Sequence, residues 1–348
     1  MISAHFKINF KTLFFIALLI TNFCDTSLSQ ELEKFTFESN HMGTTFKIVL
    51  FAQDSSKAQQ ASSSAFATIA DLDTTLSDYI AHSELSQLSN TSGGDSTVTV
   101  SKPLFEILSI ADRISRKTEG LFDVSAGPYV SVWRSIRKSE NPELPNSELL
   151  SSIQNRVGYA DIVLNENEQT VRLLKHKMKL DVGGIGKGHA TQKALEKLRS
   201  KGITMAYVDG GGDISVGAPP PGKSDWTIAV PLYTGDGNIN FKAFTLSGVS
   251  IATSGDLYQH IMIDGTRYSH VIDPRTGLGS TKQVQATVIA PHGALADALA
   301  SALTISGIEK AQFILRQFPN AATYMTQAST DSLQIWESEN LKKYLHSG

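Results

Sequence analysis

LDVGGIGKGHATQKALEKL (Leu180–Leu198) joins a short apolar, strand-like run ending at Asp181 to a loop and then to a helix. The loop holds Gly183, Gly184, Gly186 and Gly188, and the helix is rich in Ala, Leu and Lys. Strand, glycine loop, helix is the order in which proteins present bare backbone N–H groups and a helix N-terminus to an anionic ligand. Glycine admits positive φ and lets the backbone approach a phosphate with no Cβ in the way. Lys187 adds a cation inside the loop. A tight strand-to-helix connection needs fewer glycines than this, so the stretch reads as a ligand loop.

The common phosphate motifs do not fit it. A Walker loop needs Ser or Thr after its lysine, where this chain has Gly188, and Gly where it has Asp181. A dinucleotide fingerprint starting at Gly184 needs Gly at the position held by His189. P-loop enzymes and Rossmann dehydrogenases are therefore disfavoured.

With 348 residues, 41% of them apolar, the chain is long enough for one large domain or two intimate subdomains. A net charge of −3 makes no electrostatic case for nucleic acid. Residues 1–29 read as an export signal. Lys7 and Lys11 precede the apolar run Leu13–Ile20, too short to span a bilayer, and Ser27 and Ser29 offer a cleavage site before Gln30. This predicts an exported, periplasmic protein whose functional domain is residues 30–348. The sole cysteine, Cys24, lies in the leader. It is removed with the leader or, if lipidated, anchors the protein to the inner membrane. Thr21, Asn22 and Phe23 suit a lipidation site poorly, which favours removal. A mature chain without thiols must draw its stability from its core.

Alternation over Phe35–Met42 and Thr45–Phe51, joined at Gly43, predicts a hairpin. Apolar spacing predicts helices over Ser55–Leu76, Leu104–Lys117 (entered through Pro103), Ser147–Asn155, Ala294–Ile305 and Ile308–Phe318. Ile162–Leu164 with Val171–Leu174 reads as a second hairpin. Further strands are read at Met205–Val208, Trp226–Val230, Phe241–Leu246, Val249–Ala252, Val284–Ile289, Thr323–Met325 and Leu333–Trp336. Hairpin-type strands outnumber strand–helix–strand units, so the fold class is α+β with antiparallel sheets.

Three other segments are polar and sit at strand ends. Gly210–Asp213 taken alone is a tight bulge. Ser254–Gly255 and Tyr268–Gly277 include His270 and Asp273, which flank an apolar pair before a Pro-led turn. A histidine of near-neutral pKa suits general-base work on an alcohol, although Asp-Pro alone is a common turn opener. Asp297 and Ser301, at i and i+4, put two hard oxygens on one helix face. With a backbone carbonyl and phosphate oxygens they suit Mg²⁺; the plainer alternative is an Asp favoured by the helix dipole. No GxSxG elbow, HExxH helix or His/Cys cluster is found in the sequence.

In order along the chain, these segments resemble the ApbE family of FAD:protein FMN transferases. The resemblance runs from Met42 to about Ala302. It is carried by Met42-Gly43-Thr44, Tyr79 with Ser83–Ser86, Gly120–Asp123 with Gly127-Pro128, and Val157–Tyr159. It continues through Leu180–Ala190, Gly211–Asp213, Ala252–Asp256, Ser269–Gly277 and Ala296–Ala298. The resemblance implies two similar subdomains of antiparallel sheet and helices, T-fold-like, with FAD bound between them. It implies FAD contacts at Met42, Tyr79, Leu121, Phe122, Asp123, Asp181, Lys187 and Ile272. It implies Mg²⁺ ligands at Asp297, Ser301 and the carbonyl of Gly184, and a catalytic role for His270. Ser301 stands where Thr is more usual, Asp209-Gly210 where Asn-Ala is frequent, and Gly186 where Ala is usual.

The implied reaction is attack by a protein Thr or Ser hydroxyl on the FMN-side phosphorus of FAD, with release of AMP. The implied acceptors are flavoproteins with an FMN-binding domain, either respiratory-complex subunits or exported reductases. Two alternatives share the site. With water as acceptor the protein is an FAD pyrophosphatase, and without turnover it is an exported FAD-binding protein.

Overall fold

The computed structural model describes residues 31–233, 239–255, 259–329 and 332–345. The leader, Cys24 and Asp256 lie outside the described residues. Glu33–His41 (β1) and Thr44–Ala52 (β2) form the expected hairpin. Its two-residue turn takes positive φ at both Met42 and Gly43 (+48° and +73°), the conformation that matches the twist of paired strands. β2 continues the alternation into the core. Phe46, Ile48 and Leu50 face one buried cluster and Val49 faces another on the opposite side of the sheet.

The other strands of this sheet are Ala206–Gly210 (β3), Ile214–Val216 (β4), Ser250–Gly255 (β5), Gln283–Ala290 (β6), Ala322–Ala328 (β7) and Leu333–Glu337 (β8). They lie in the order β1 to β8, every neighbour antiparallel. The architecture is α+β, as expected. Its two similar halves repeat one element order. The first is β1, β2, helix Ser55–Leu76 (α1), and, after an insertion, helix Gly186–Ser200 (α4), β3 and β4. The second is β5, β6, helices Gly293–Ser306 (α5) and Ile308–Leu315 (α6), β7 and β8. They join edge to edge where Ile214 and Ser215 of β4 pair with Ile251 and Ser250 of β5, making one continuous sheet.

The insertion supplies helix Lys102–Lys117 (α2), with Pro103 in its first turn and Ser101 as its N-cap. It also supplies helix Gly127–Ile136 (α3). The sequence reading has no helix there, although Pro in the first turn is pre-organised for one. The long helices cover one face of the sheet and the hairpin of Trp226–Tyr233 with Ile239–Leu246 covers the other. The small residues of α5, Ala296, Ala298, Ala300 and Ala302, are all buried, which lets α5 lie close against both the sheet and α4.

His189 on α4 is 2% exposed, and its Nε2 has no hydrogen-bond partner among the described residues. Burial pulls its pKa down to about 4, aided by Lys193 and opposed by Glu106 and Glu196. Above the ordinary value of about 6.5 the ring is neutral whether folded or unfolded, so it costs nothing. Between 6.5 and 4 only the unfolded chain takes up the proton, and stability falls as pH drops. Wild type should therefore lose about 2 kcal/mol more between pH 7.5 and 5 than His189→Leu does. Urea unfolding of both proteins at the two pH values measures this, and parallel losses would contradict a neutral buried imidazole.

Candidate active site

The Leu180–Leu198 stretch enters a cavity of about 510 Å³ lined from both halves of the sheet and by α3. The local geometry differs from the sequence reading in two respects. The run before Asp181 is an extended segment, not a strand, held by one parallel bridge from Lys179 to Ala126 and by Asp181 N–H donating to Val124 O at 2.8 Å. Gly186 and Gly188 already belong to the first turn of α4. None of Gly183, Gly184, Gly186 and Gly188 has a left-handed φ. Close approach, and not positive φ, is what Gly183, Gly184 and Gly188 provide, while Gly186 has ordinary space around it. A Cβ on Gly184 would lie 3.3 Å from Ser301 Oγ, and one on Gly183 2.9 Å from Asp181 Oδ1.

Lys187 lies between two carboxylates. Its Nζ is 2.7 Å from Asp213 Oδ2 and 3.9 Å from Asp297 Oδ2. These carboxylates hold the ammonium pKa well above its ordinary value despite burial. Asp297 is pushed up to about 7, first by burial and then by Asp213, against the pull of Lys187 and of α4 backbone N–H groups. Asp297 does act on a helix N-terminus, but on that of its neighbour. α4 has no side-chain cap of its own, and Gly188 N–H donates to Asp297 Oδ2 at 3.1 Å.

Asp297 and Ser301 line the same cavity as Gly184. A carboxylate, a hydroxyl and an adjacent carbonyl are hard oxygen donors of the kind Mg²⁺ takes. Gly184 comes so near Ser301 Oγ that a side chain there would press on that hydroxyl. Among the described residues no cluster of three or more His, Cys, Asp or Glu is built to hold a metal alone. The donor set therefore fits a cation that completes its shell with substrate oxygens and water.

His270 follows the strand Thr266–Ser269 and lines the cavity, half-buried. Its Nδ1 is 3.1 Å from the carbonyl of Gln259. A carbonyl only accepts, so Nδ1 carries the hydrogen and Nε2 keeps the lone pair. Burial lowers the ring pKa to about 4, with Arg137 and Lys187 adding to the effect and the Gln259 carbonyl opposing it. Asp273 is occupied otherwise, accepting from the Arg275 side chain at 2.6 and 2.9 Å and from its backbone N–H at 3.0 Å. It is a turn residue.

Eleven of the twelve residues singled out in the sequence line this one cavity. Met42 does not. It sits in the β1–β2 turn, its backbone N–H donating to Asp73 Oδ2 at 2.8 Å and its side chain packed against the core. Leu121, Phe122 and Ile272 supply apolar wall. Asp123 is also in the wall, but its oxygens accept from Ser125 N–H (2.7 Å) and Tyr159 N–H (3.0 Å), so it shapes the wall by tying loops together. Burial raises its pKa against those bonds.

The sequence reading missed Arg134, on α3. Its guanidinium donates to Asp181 Oδ2 at 2.8 Å, pairs with Asp78, and lies 4.1 Å from the centre of the Tyr79 ring. Tyr79 is 76% exposed yet keeps its position at the mouth through this contact. Lys179 Nζ, 3.5 Å from Asp78, balances the second carboxylate. Asp213, which the sequence reading places in a bulge and in the family resemblance but gives no role, is the tight partner of Lys187.

The sequence profile of the ApbE family matches residues 42–325. The chain belongs to the ApbE family. The FAD:protein FMN transferase of Escherichia coli K12 is 28% identical to it over 251 residues, 71% of each chain. That of Chlamydia muridarum is 30% identical over 276 residues, 78% of this chain and 84% of the other. The solved flavin transferase ApbE from Vibrio cholerae has a TM-score of 0.81 at 26% identity, covering 90% of this chain and 100% of that one. The ApbE fold thus accounts for the continuous sheet and for the site at the junction of its halves.

Arg134→Leu should leave Asp78 and Asp181, whose side chains are 8% and 9% exposed, facing each other with Lys179 alone to compensate. The expected loss is roughly 2–3 kcal/mol, below that of a fully buried pair because the guanidinium reaches solvent. Adding Asp78→Asn should recover part of it. Urea melts of the single and double variants test the coupling, and additive losses would show that Arg134 does not hold the carboxylates together.

Proposed function

We propose that this protein is a Mg²⁺-dependent FAD:protein FMN transferase. The observation that carries the proposal is one cavity holding an imidazole, a set of three hard oxygens and a half-buried lysine. The names of the relatives supply the substrate class, FAD and a protein acceptor. Acceptors are proposed to be exported flavoproteins, reached once residues 1–29 have directed secretion.

In this scheme the hydroxyl oxygen of a Thr or Ser on the acceptor attacks the FMN-side phosphorus of FAD. A phosphorus–oxygen bond to the acceptor forms as the bond to the bridging oxygen breaks, and AMP leaves with that oxygen. Nε2 of His270, which holds the lone pair, takes the hydroxyl proton. Its low pKa makes it a weak base but keeps it unprotonated at neutral pH. Lys187 sets positive charge beside the pyrophosphate, while Leu121, Phe122 and Ile272 exclude water on one side. Mg²⁺ held by Asp297, Ser301 and the Gly184 carbonyl would supply charge neutralisation at the phosphate oxygens.

The direct test is incubation with FAD, Mg²⁺ and an acceptor carrying an FMN-binding domain, followed by intact mass measurement. The acceptor should gain one FMN less one water while AMP appears in equal amount. Free FMN with an unmodified acceptor would instead identify a pyrophosphatase.

His270→Ala should slow single-turnover transfer by roughly 10²–10⁴-fold, and His270→Asn should be as slow. An Asn variant with near-normal rates would reduce His270 to a loop-orienting role. Because protonation waits until pH approaches 4, the wild-type rate should hold from neutral pH down to about 5 and fall only below that. An acid limb centred on the ordinary histidine value of about 6.5 would contradict a base whose pKa the cavity lowers.

Asp297→Ala should abolish Mg²⁺-dependent turnover while FAD still binds. Ser301→Ala should be milder, since a neutral ligand can be replaced by water. Calorimetric FAD binding beside turnover measures both, and full Mg²⁺-dependent activity in Asp297→Ala would leave that carboxylate only its role at the N-terminus of α4.

A further inference from the structure

Gly188 and Gly293 lie where α4 and α5 cross, and neither has room for a side chain. A Cβ built on Gly188 would run into the carbonyl group of Gly293 and lie 2.8 Å from Asp297 Cβ. One built on Gly293 would run into the carbonyl group of Gly188 and lie 3.0 Å from Ser215 Oγ. The crowding is reciprocal, so the two backbones touch with nothing between them. Neither glycine has a left-handed φ, so conformational freedom does not explain either residue.

The crossing is tied directly to the site. Gly293, Asp297 and Ser301 follow one another at i, i+4 and i+8 along one face of α5. On the other chain segment, Gly184 precedes Gly188 by four positions. Gly188 N–H donates to Asp297 Oδ2 at 3.1 Å, and Gly184 approaches Ser301. Each contact therefore joins one glycine of the α4 entry to one ligand residue of α5.

Behind the crossing runs a buried chain of hydrogen bonds. Thr191 Oγ1 donates to Gly188 O at 2.9 Å and lies 2.9 Å from Ser215 Oγ, which lies 2.9 Å from Ser250 Oγ. Ser250 Oγ lies 3.3 Å from Gln192 Oε1, which accepts from Gly293 N–H at 3.4 Å. The three hydroxyls share three hydrogens among their four contacts, so one of those contacts is a close approach without a hydrogen. The chain runs from α4 through β4 and β5 to the start of α5, spanning the junction of the two halves. It fixes the crossing from behind while the ion pairs of Lys187 hold it from the cavity.

We propose that the Gly188–Gly293 contact is the positioning device that sets the separation of the cation-binding oxygens, Asp297 and Ser301 on one side and the Gly184 carbonyl on the other. The proposal rests on reading those oxygens as the Mg²⁺ site. Mg²⁺ demands near-octahedral oxygens at about 2.0–2.1 Å, so a methyl group wedged into the crossing spoils the site by moving α5 away from α4.

The test measures binding of Mn²⁺, a Mg²⁺ substitute, by electron paramagnetic resonance on the mature protein with saturating FAD and no acceptor. Gly293→Ala should weaken Mn²⁺ roughly 10- to 100-fold, as losses of supporting contacts around a metal do, while FAD binding without metal changes less than about threefold. Gly217→Ala is the matched control. A Cβ there would lie 2.5 Å from Thr204 O, so it is as crowded, but Gly217 does not line the cavity. It should lower Tm and leave Mn²⁺ affinity alone. If Gly293→Ala does not fold, Thr191→Ala, which removes the hydrogen bond to Gly188 O without adding bulk, should weaken Mn²⁺ several-fold.

Mn²⁺ affinity unchanged in folded Gly293→Ala, or in Thr191→Ala where that variant stands in, overturns the proposal. An equal loss in Gly217→Ala does so too. Asp297→Ala separates the two levels: if it binds Mn²⁺ as wild type does, the metal site itself has been misassigned, whatever the glycine variants show.

Discussion

The ion trio of Lys187, Asp213 and Asp297 is the constraint on which the site depends. Asp213 comes from the turn between β3 and β4 in the first half of the molecule, Asp297 from α5 in the second, and Lys187 from the start of α4 between them. One half-buried cation against two buried carboxylates is not a self-sufficient arrangement. Desolvation is costly for each charge, and the excess negative charge has no local partner of full strength. The upward push on Asp297 expresses that imbalance. A core built for stability alone would use apolar residues here. The trio makes sense as a preorganised, underneutralised site whose remaining charge is met by a ligand.

Much of the scaffold was legible in the sequence because its periodicities are local. The alternation of β2 and the helical spacing in α1 and α2 report burial within a few residues. The glycine-rich stretch was located correctly but for a partly wrong reason. Its glycines serve contacts with residues far along the chain, Ser301 for Gly184 and Gly293 for Gly188, and nothing local distinguishes that demand from a need for positive φ. Arg134 was invisible on similar grounds. Its partners Asp78 and Asp181 lie 56 and 47 positions away, and an arginine after a tryptophan on a short helix carries no signal of its own.

A motif residue in the wall of a cavity is not thereby a ligand contact. Asp123 lines the cavity, yet both its oxygens are taken by backbone N–H groups, one of them from Tyr159 in the next segment of the insertion. Asp181 spends one oxygen on Gly183 N–H and the other on Arg134. These carboxylates hold the Leu121–Asp123 wall, the glycine turn and Tyr79 in register. Met42 shows the converse. It resembles a contact residue of the family, while its position in the β1–β2 turn puts it outside the cavity wall, so its influence runs through the hairpin and Asp73.

The charges around the cavity show what a cation beside the pyrophosphate would add. Its wall carries Arg134, Arg137 and Lys187 against Asp123, Asp181, Asp213 and Asp297. Arg134 is already committed to Asp181 and Asp78, and Lys187 to Asp213. Among the described residues Arg137 meets only the side-chain oxygen of Gln259, so an anionic ligand would find two committed cations and one held by no carboxylate, in a setting where charge is weakly screened. A divalent cation held by Asp297, as proposed, would reverse the sign locally and leave Lys187 to divide its attraction between Asp213 and phosphate oxygens. On this view the spacing set where α4 meets α5 would govern the proposed cation, and through it the charge that the pyrophosphate meets. Catalytic competence is then a property of the junction between the two halves of the sheet and of no single loop.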